Sequence, residues 1–178
     1  FYATPRLLQP GLQDYSYELG FVRRNFGTDS NNYGRALAVG THRLGITEQF
    51  TGELHGELLG QQQTLGLGGV LMLPAAGVLS GSFAASHSDR GVGGLLELGF
   101  QRQGRYFSFG ANTQLASQRF AKLGLQPEAL APRQISQMFV NLATTDYGSF
   151  RANYTQQAFR DRTGNKILSA GYSRKVGR

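Results

Sequence analysis

The residues best suited to chemistry in this sequence are Glu53, His55 and Glu57, which all belong to types that ligate metals. Leu54 and Gly56 separate them, so in a β-strand the three side chains would point to one face. A single strand can supply two ligands, but a metal site needs more from neighbouring strands. We therefore interpret the run as part of a polar surface, and the sequence predicts no metal or other cofactor.

Two other runs contain catalytic residue types without a catalytic arrangement. Ser86, His87 and Asp89 belong to the types of a hydrolytic triad, but near-consecutive residues of one strand cannot converge on one substrate. The glycine-rich run 66–69 is followed by neither a lysine nor a helix pattern, so it does not match a phosphate-binding loop. The sequence therefore predicts that the protein is not an enzyme.

The composition excludes several further classes of protein. The 178 residues include 25 glycines and no cysteine, so the sequence offers no disulfide framework and no thiolate metal site. The net charge of +7 comes from scattered basic residues, whereas nucleic-acid binding favours a concentrated patch. No apolar stretch approaches the roughly 18 residues of a membrane helix. Nucleic acid is therefore not predicted as a partner.

An alternation of apolar with small or polar side chains runs through most of the chain. It predicts an irregular leading segment over residues 1–12, followed by a single unit over 13–178 made of ten strands. The predicted strands lie at about 14–25, 34–43, 49–60, 64–73, 78–88, 92–102, 106–117, 134–143, 149–159 and 165–174. The connections between them alternate between short turns, such as 74–77 and 103–105, and longer polar ones at 27–33, 88–91 and 118–133.

Each predicted strand has an apolar face and a polar one. In the second strand, the alternation predicts that Leu37 and Val39 lie on the apolar face. Leu95 and Phe139 are expected on the polar face and are the exceptions to its polarity. The candidate residues of the polar face are Glu18, Glu53, His55, Glu57, Ser80, Ser82, Glu97, Gln101, Asn112, Gln114, Arg151 and Asn153.

Two architectures fit a two-faced strand pattern: a soluble sandwich or lipocalin-like domain, and a barrel with its apolar face toward lipid. Predicted strands of ten to twelve residues favour the barrel, since tilted strands of about that length span a bilayer. Polar residues on the second face suit a water-filled lumen. Aromatic residues near strand ends suit interface girdles; these are Tyr15, Phe26, Phe50, Phe100, Tyr106, Phe107, Phe150 and Tyr172. We therefore expect an all-β, antiparallel up-and-down transmembrane β-barrel, with these ten strands as a fragment of a larger one.

The opening run, FYATPRLLQPGLQDYSYELG over residues 1–20, resembles a segment of the fimbrial outer-membrane ushers. In ushers, such a segment leads into the barrel strands that follow the plug domain. Further similarity lies in the runs 40–45 and 168–173. The resemblance extends over essentially the whole chain, but outside the opening run it is generic strand pattern.

The resemblance implies that this chain is structural wall of a translocation pore in the outer membrane of a Gram-negative bacterium. Ushers export and assemble fimbrial subunits that a periplasmic chaperone delivers, without an active site or a cofactor. The implied partners are membrane lipid, fimbrial subunits, chaperone–subunit complexes and the remainder of the usher chain. The twelve polar-face residues would line the pore. Another outer-membrane barrel, such as a porin or a small adhesin, is the alternative.

Overall fold

The computed structural model describes residues 6–23, 31, 33–121, 132–144 and 147–174. The strands end within two residues of the boundaries that the alternation predicts. They are β1 (Gln13–Arg23), β2 (Tyr33–Gly45), β3 (Phe50–Leu59), β4 (Gln62–Leu73), β5 (Gly77–Ser88), β6 (Gly91–Arg102), β7 (Phe107–Ala116), β8 (Gln134–Thr144), β9 (Gly148–Ala158) and β10 (Asn165–Ser173).

The ten strands form one sheet in sequence order, and every strand pairs antiparallel with the next. The predicted all-β, up-and-down fold is confirmed. The sheet is open, because β1 and β10 each have a single neighbour among the described residues. Within the same residues, no helix is long and apolar enough to cross a membrane.

In the part of the chain that the structure describes, no second layer covers the sheet, and this excludes the sandwich. The chain exposes 12201 Å², whereas a compact monomer of 19.4 kDa exposes about 8500 Å². Large apolar side chains account for much of the excess: Leu67 is 61% exposed and Leu19 is 87% exposed. A sandwich would bury such side chains between its two sheets.

Strand pairing assigns each side chain to one of two faces. One side of the sheet carries the paired neighbours Leu54, Leu67, Phe83 and Leu96, and we call it the apolar face. We call the opposite side the polar face. The predicted facing is correct for Leu95 and Phe139 and wrong along β2. There Val39 pairs with Glu57 and Leu37 pairs with Leu59, so both lie on the polar face.

The physical reason for the β2 error is the size of its residues. The apolar face of β2 carries Ala36, Ala38 and Gly40, while larger apolar residues stand on the other side. Alternation reasoning assigned the larger residues to the apolar face. The structure instead places small residues there, beneath the exposed Tyr17 and Leu19 of β1.

The two ends of the sheet differ in their connections. At one end, four turns of only three or four residues join β2–β3, β4–β5, β6–β7 and β8–β9. At the other end, the connections range from two residues to the seventeen between β7 and β8. The predicted longer loop at 88–91 is wrong, since Asp89 and Arg90 alone separate β5 from β6. Phe26, one of the aromatic residues expected near a strand end, lies outside the described residues.

Two segments without strand structure lie against the polar face. The first, residues 6–12, runs along β2 and β3: the Leu8 amide donates to Thr51 Oγ1 at 2.8 Å, and the Gly11 amide donates to the Gly45 carbonyl. The second, residues 117–121, follows β7 and is called here the β7 extension. Its Ala121 amide donates to Ser86 Oγ at 2.9 Å. Phe120 is buried there with Ala84, Leu95 and Ala116.

The β7 extension requires a glycine beneath it. A Cβ added to Gly93 would lie 2.2 Å from the Phe120 nitrogen, so Gly93→Ala should displace the extension at a cost of about 1–3 kcal/mol. The expected readout is faster tryptic cleavage after Arg119. Gly94→Ala is the matched control, because its Cβ would make only ordinary contacts on the opposite face. Equal cleavage of the two variants would contradict this packing.

Candidate functional site

All twelve candidate residues of the polar face lie on that face by register. They differ in exposure: Glu97 is 4% and Glu57 is 7% exposed, whereas Glu18, Arg151 and Asn153 are open to solvent. In a curved sheet, side chains of the concave side converge and shield one another. The burial pattern therefore indicates that the polar face is concave. That these residues line a pore stays a prediction.

Arg43 joins three parts of the polar face, and the sequence reasoning missed it. Its guanidinium lies 3.4 Å from Asp14 Oδ2 and 3.3 Å from Glu53 Oε2, and it donates to the Arg6 carbonyl. Arg43 shares its face with Leu37 and Val39, so the wrong facing of β2 also hid this residue. The pairing register of β2 with β3 identifies Arg43, because it places this residue directly opposite Glu53.

His55 and Glu57 form a short hydrogen-bonded chain with Thr41. His55 Nδ1 lies 2.8 Å from Thr41 Oγ1, and Nε2 donates to Glu57 Oε1 at 3.0 Å. Both ring nitrogens therefore have protein partners, and the imidazole holds the Glu57 carboxylate in place. Across the part of the chain that the structure describes, no group of three or more His, Cys, Asp or Glu residues could hold a metal ion.

Acidic and hydroxyl side chains lie around Gly66 and Gly68 of β4 on the polar face, and we call this group the acid cluster. Its members are Glu53, Glu57, Thr64, Ser82 and Glu97. A Cβ on Gly68 would meet Ser82 Cβ at 3.4 Å, the Gly81 carbonyl oxygen at 3.5 Å and Glu53 Cβ at 3.6 Å.

The buried oxygens of the acid cluster are only partly satisfied. Glu97 Oε1 accepts from Asn112 Nδ2 at 2.9 Å. Within the described residues, Glu97 Oε2, Glu57 Oε2, Ser82 Oγ and Thr64 Oγ1 have no hydrogen-bond partner. All four of these oxygens are shielded from solvent.

The chain matches known proteins only at the level of solved structures, since no family model and no curated protein matches it. One structure of the P pilus usher PapC translocation pore superposes with a TM-score of 0.79 at 17% identity, over 93% of this chain and 36% of that one. The chain has the fold of an usher pore wall. A second structure of the usher PapC translocation pore gives a TM-score of 0.76 at 16% identity, over 97% of this chain and 38% of the usher.

The chain thus spans a little over a third of the usher chains that it matches. The superposition supports the fold that the opening run suggested.

The Arg43 contacts predict a specific stability effect. Arg43→Leu leaves the carboxylate of Glu53 buried without its cation, so it should lower the free energy of unfolding by about 3–5 kcal/mol. Urea unfolding in lipid vesicles measures the change. Replacing Glu53 by Leu in the same chain should recover part of the loss. Arg151→Leu is the control, since Arg151 is exposed and donates to Asn141 Oδ1 rather than to a buried carboxylate.

Proposed function

We propose that this chain is part of the wall of an outer-membrane pore that exports and assembles fimbrial subunits. One observation carries the proposal: a single-layer sheet exposes large apolar side chains on one face and gathers polar ones on the other, in the fold of an usher pore. An exposed apolar face of this size marks a contact with a membrane or with another protein. We assign that face to lipid and the polar face to the lumen.

The polar face fits the passage of folded protein. Hydroxyl and amide side chains recur along it, for example Ser80, Ser82, Asn112 and Asn153. Such groups make weak contacts with a passing surface. The twelve candidate residues would line the pore, and the partners would be fimbrial subunits and the chaperone–subunit complexes that deliver them. The wall itself performs no catalysis.

The connections suggest the orientation of the sheet in the membrane. Bacterial outer-membrane barrels have short periplasmic turns and longer extracellular loops. The end with four turns of three or four residues would therefore face the periplasm. The exposed edge strands β1 and β10 would pair with other strands of the same barrel, because unpaired backbone groups are costly in lipid.

The facing assignment can be tested at neighbouring positions in β4. Leu67 lies at the middle of the strand on the apolar face, so Leu67→Arg should destabilise the protein in lipid vesicles by about 2–4 kcal/mol. Gly68→Arg is the control, because it places the cation on the polar face opposite Glu53. Heat-dependent mobility on gels reports the folded fraction. Equal losses for the two variants would overturn the facing assignment.

The export function can be tested with crosslinkers on β10. Leu168 and Ser169 are both exposed and lie on opposite faces. Each is changed to cysteine in the full-length protein, and a photoreactive maleimide is attached. During fibre assembly in cells, position 169 should crosslink to fimbrial subunits and position 168 should not. Crosslinks to subunits from neither position, together with free passage of small solutes, would favour the porin alternative.

A further inference from the structure

The apolar face contains a pocket of about 940 Å³ over β2 and β3, and we call it the β2 pocket. The small residues Ala38, Gly40 and Gly56 form its floor. A Cβ added to Gly56 would have no atom within 4 Å, so the floor is open there. Gly69 of the same face is covered, since the Phe50 ring would lie 2.8 Å from a Cβ added to it. The small residues of β2 and β3 therefore leave a depression in the apolar face.

Large apolar side chains border this floor on two sides. Tyr17 and Leu19 of β1 stand on one side, and Leu58 of β3 and Leu65 of β4 stand on the other. Because β1 and β3 are two strand spacings or about 9.5 Å apart, the space between the walls suits a single hydrocarbon chain. A chain in this space would touch protein on three sides, whereas a chain on a flat face touches it on one. The pocket therefore offers more van der Waals contacts than the face around it.

A hydrogen bond fixes the Tyr17 wall of the pocket. The Tyr17 hydroxyl lies 2.9 Å from His42 Nδ1, and its Cδ1 would lie 3.1 Å from a Cβ added to Gly40. When the hydroxyl donates to Nδ1, the ring proton of His42 lies on Nε2. Within the described residues, Nε2 has no hydrogen-bond partner. His42 therefore supplies a donor at the end of the pocket that is nearer the short turns.

The polarity of the pocket matches the upper part of a lipid chain. One donor stands at one end, and an apolar floor follows it. The acidic residues of the lining, Glu18 and Glu57, belong to the polar face by register. At the opposite end, the lining contains Gln63 and His87 rather than arginine or lysine. A lipid with several phosphates on its headgroup favours arginine and lysine, so the pocket suits a glycerophospholipid better.

We propose that the β2 pocket binds an acyl chain of a glycerophospholipid, and that His42 Nε2 donates to the ester carbonyl oxygen of that chain. The chain runs from His42 over Gly40 and Gly56 toward Leu58. The inference rests on the proposed function in one respect, since it takes the apolar face to contact lipid. In the orientation proposed above, this lipid belongs to the periplasmic leaflet.

Native mass spectrometry of the full-length protein tests the site. The protein is purified in a mild detergent, stripped of lipid and titrated with dioleoyl phosphatidylethanolamine. The first lipid should bind severalfold more tightly than the lipids that follow. Gly56→Leu should remove this preference, because the leucine side chain fills the open floor without meeting another atom at its Cβ. Ala152→Leu is the matched control, since it adds the same bulk to the same face outside the pocket.

A second variant tests the donor separately from the space. The unchanged protein should bind the ester lipid more tightly than an ether-linked analogue, which has no carbonyl oxygen at that position. His42→Phe should bind the two lipids equally, because it keeps an aromatic ring but has no donor. A photoreactive diazirine on the acyl chain should label peptides from β2 and β3.

Three results would overturn the proposal. They are unchanged binding by Gly56→Leu, displacement of the phospholipid by a lower concentration of lipid A, and photocrosslinks that lie outside β2 and β3. The titration needs neither subunits nor secretion, so it can succeed if the export function is wrong. The crosslinks from position 169 report export independently, so they can succeed if the pocket holds no lipid.

Discussion

The ladder of backbone hydrogen bonds between consecutive strands is the interaction on which everything else in this structure depends. A soluble domain has a core that holds its layers together, but this sheet has one layer and few buried apolar side chains in its described part. Each bond is worth only about 1 kcal/mol in water and considerably more where water is excluded. The same ladder fixes the register, and the register decides which side chains lie on the apolar face and which lie on the polar face.

Most of the fold could be predicted from the sequence, because a period of two is a direct consequence of strand geometry. The ten strands and their order follow from it. The prediction failed in β2, where alanine and glycine stand on the apolar face and leucine and valine on the other. Hydrophobicity alone cannot orient such a strand. Only its pairing with β3, which places Arg43 opposite Glu53, reveals the facing.

The candidate site was predictable as a surface and not as a set of contacts. Its polar residues recur at alternate positions, so their common face follows from sequence. The Arg43 bonds, the β7 extension over Gly93 and the burial of the acid cluster depend on residues from distant parts of the chain. No local pattern encodes these contacts. Gly68 of β4 is an example, since the sequence does not show that it lies between Glu53 and Ser82.

The unequal ends of the sheet have a consequence for how such a protein can change over evolution. Turns of three or four residues leave no slack, so an insertion there would disturb the register of two strands at once. The opposite end already tolerates a seventeen-residue connection beside others of two. Sequence variation should therefore accumulate on that side of the wall. If that side faces outward, antibodies and phages would meet the variable part of the protein, while the surface toward the cell interior stays nearly constant.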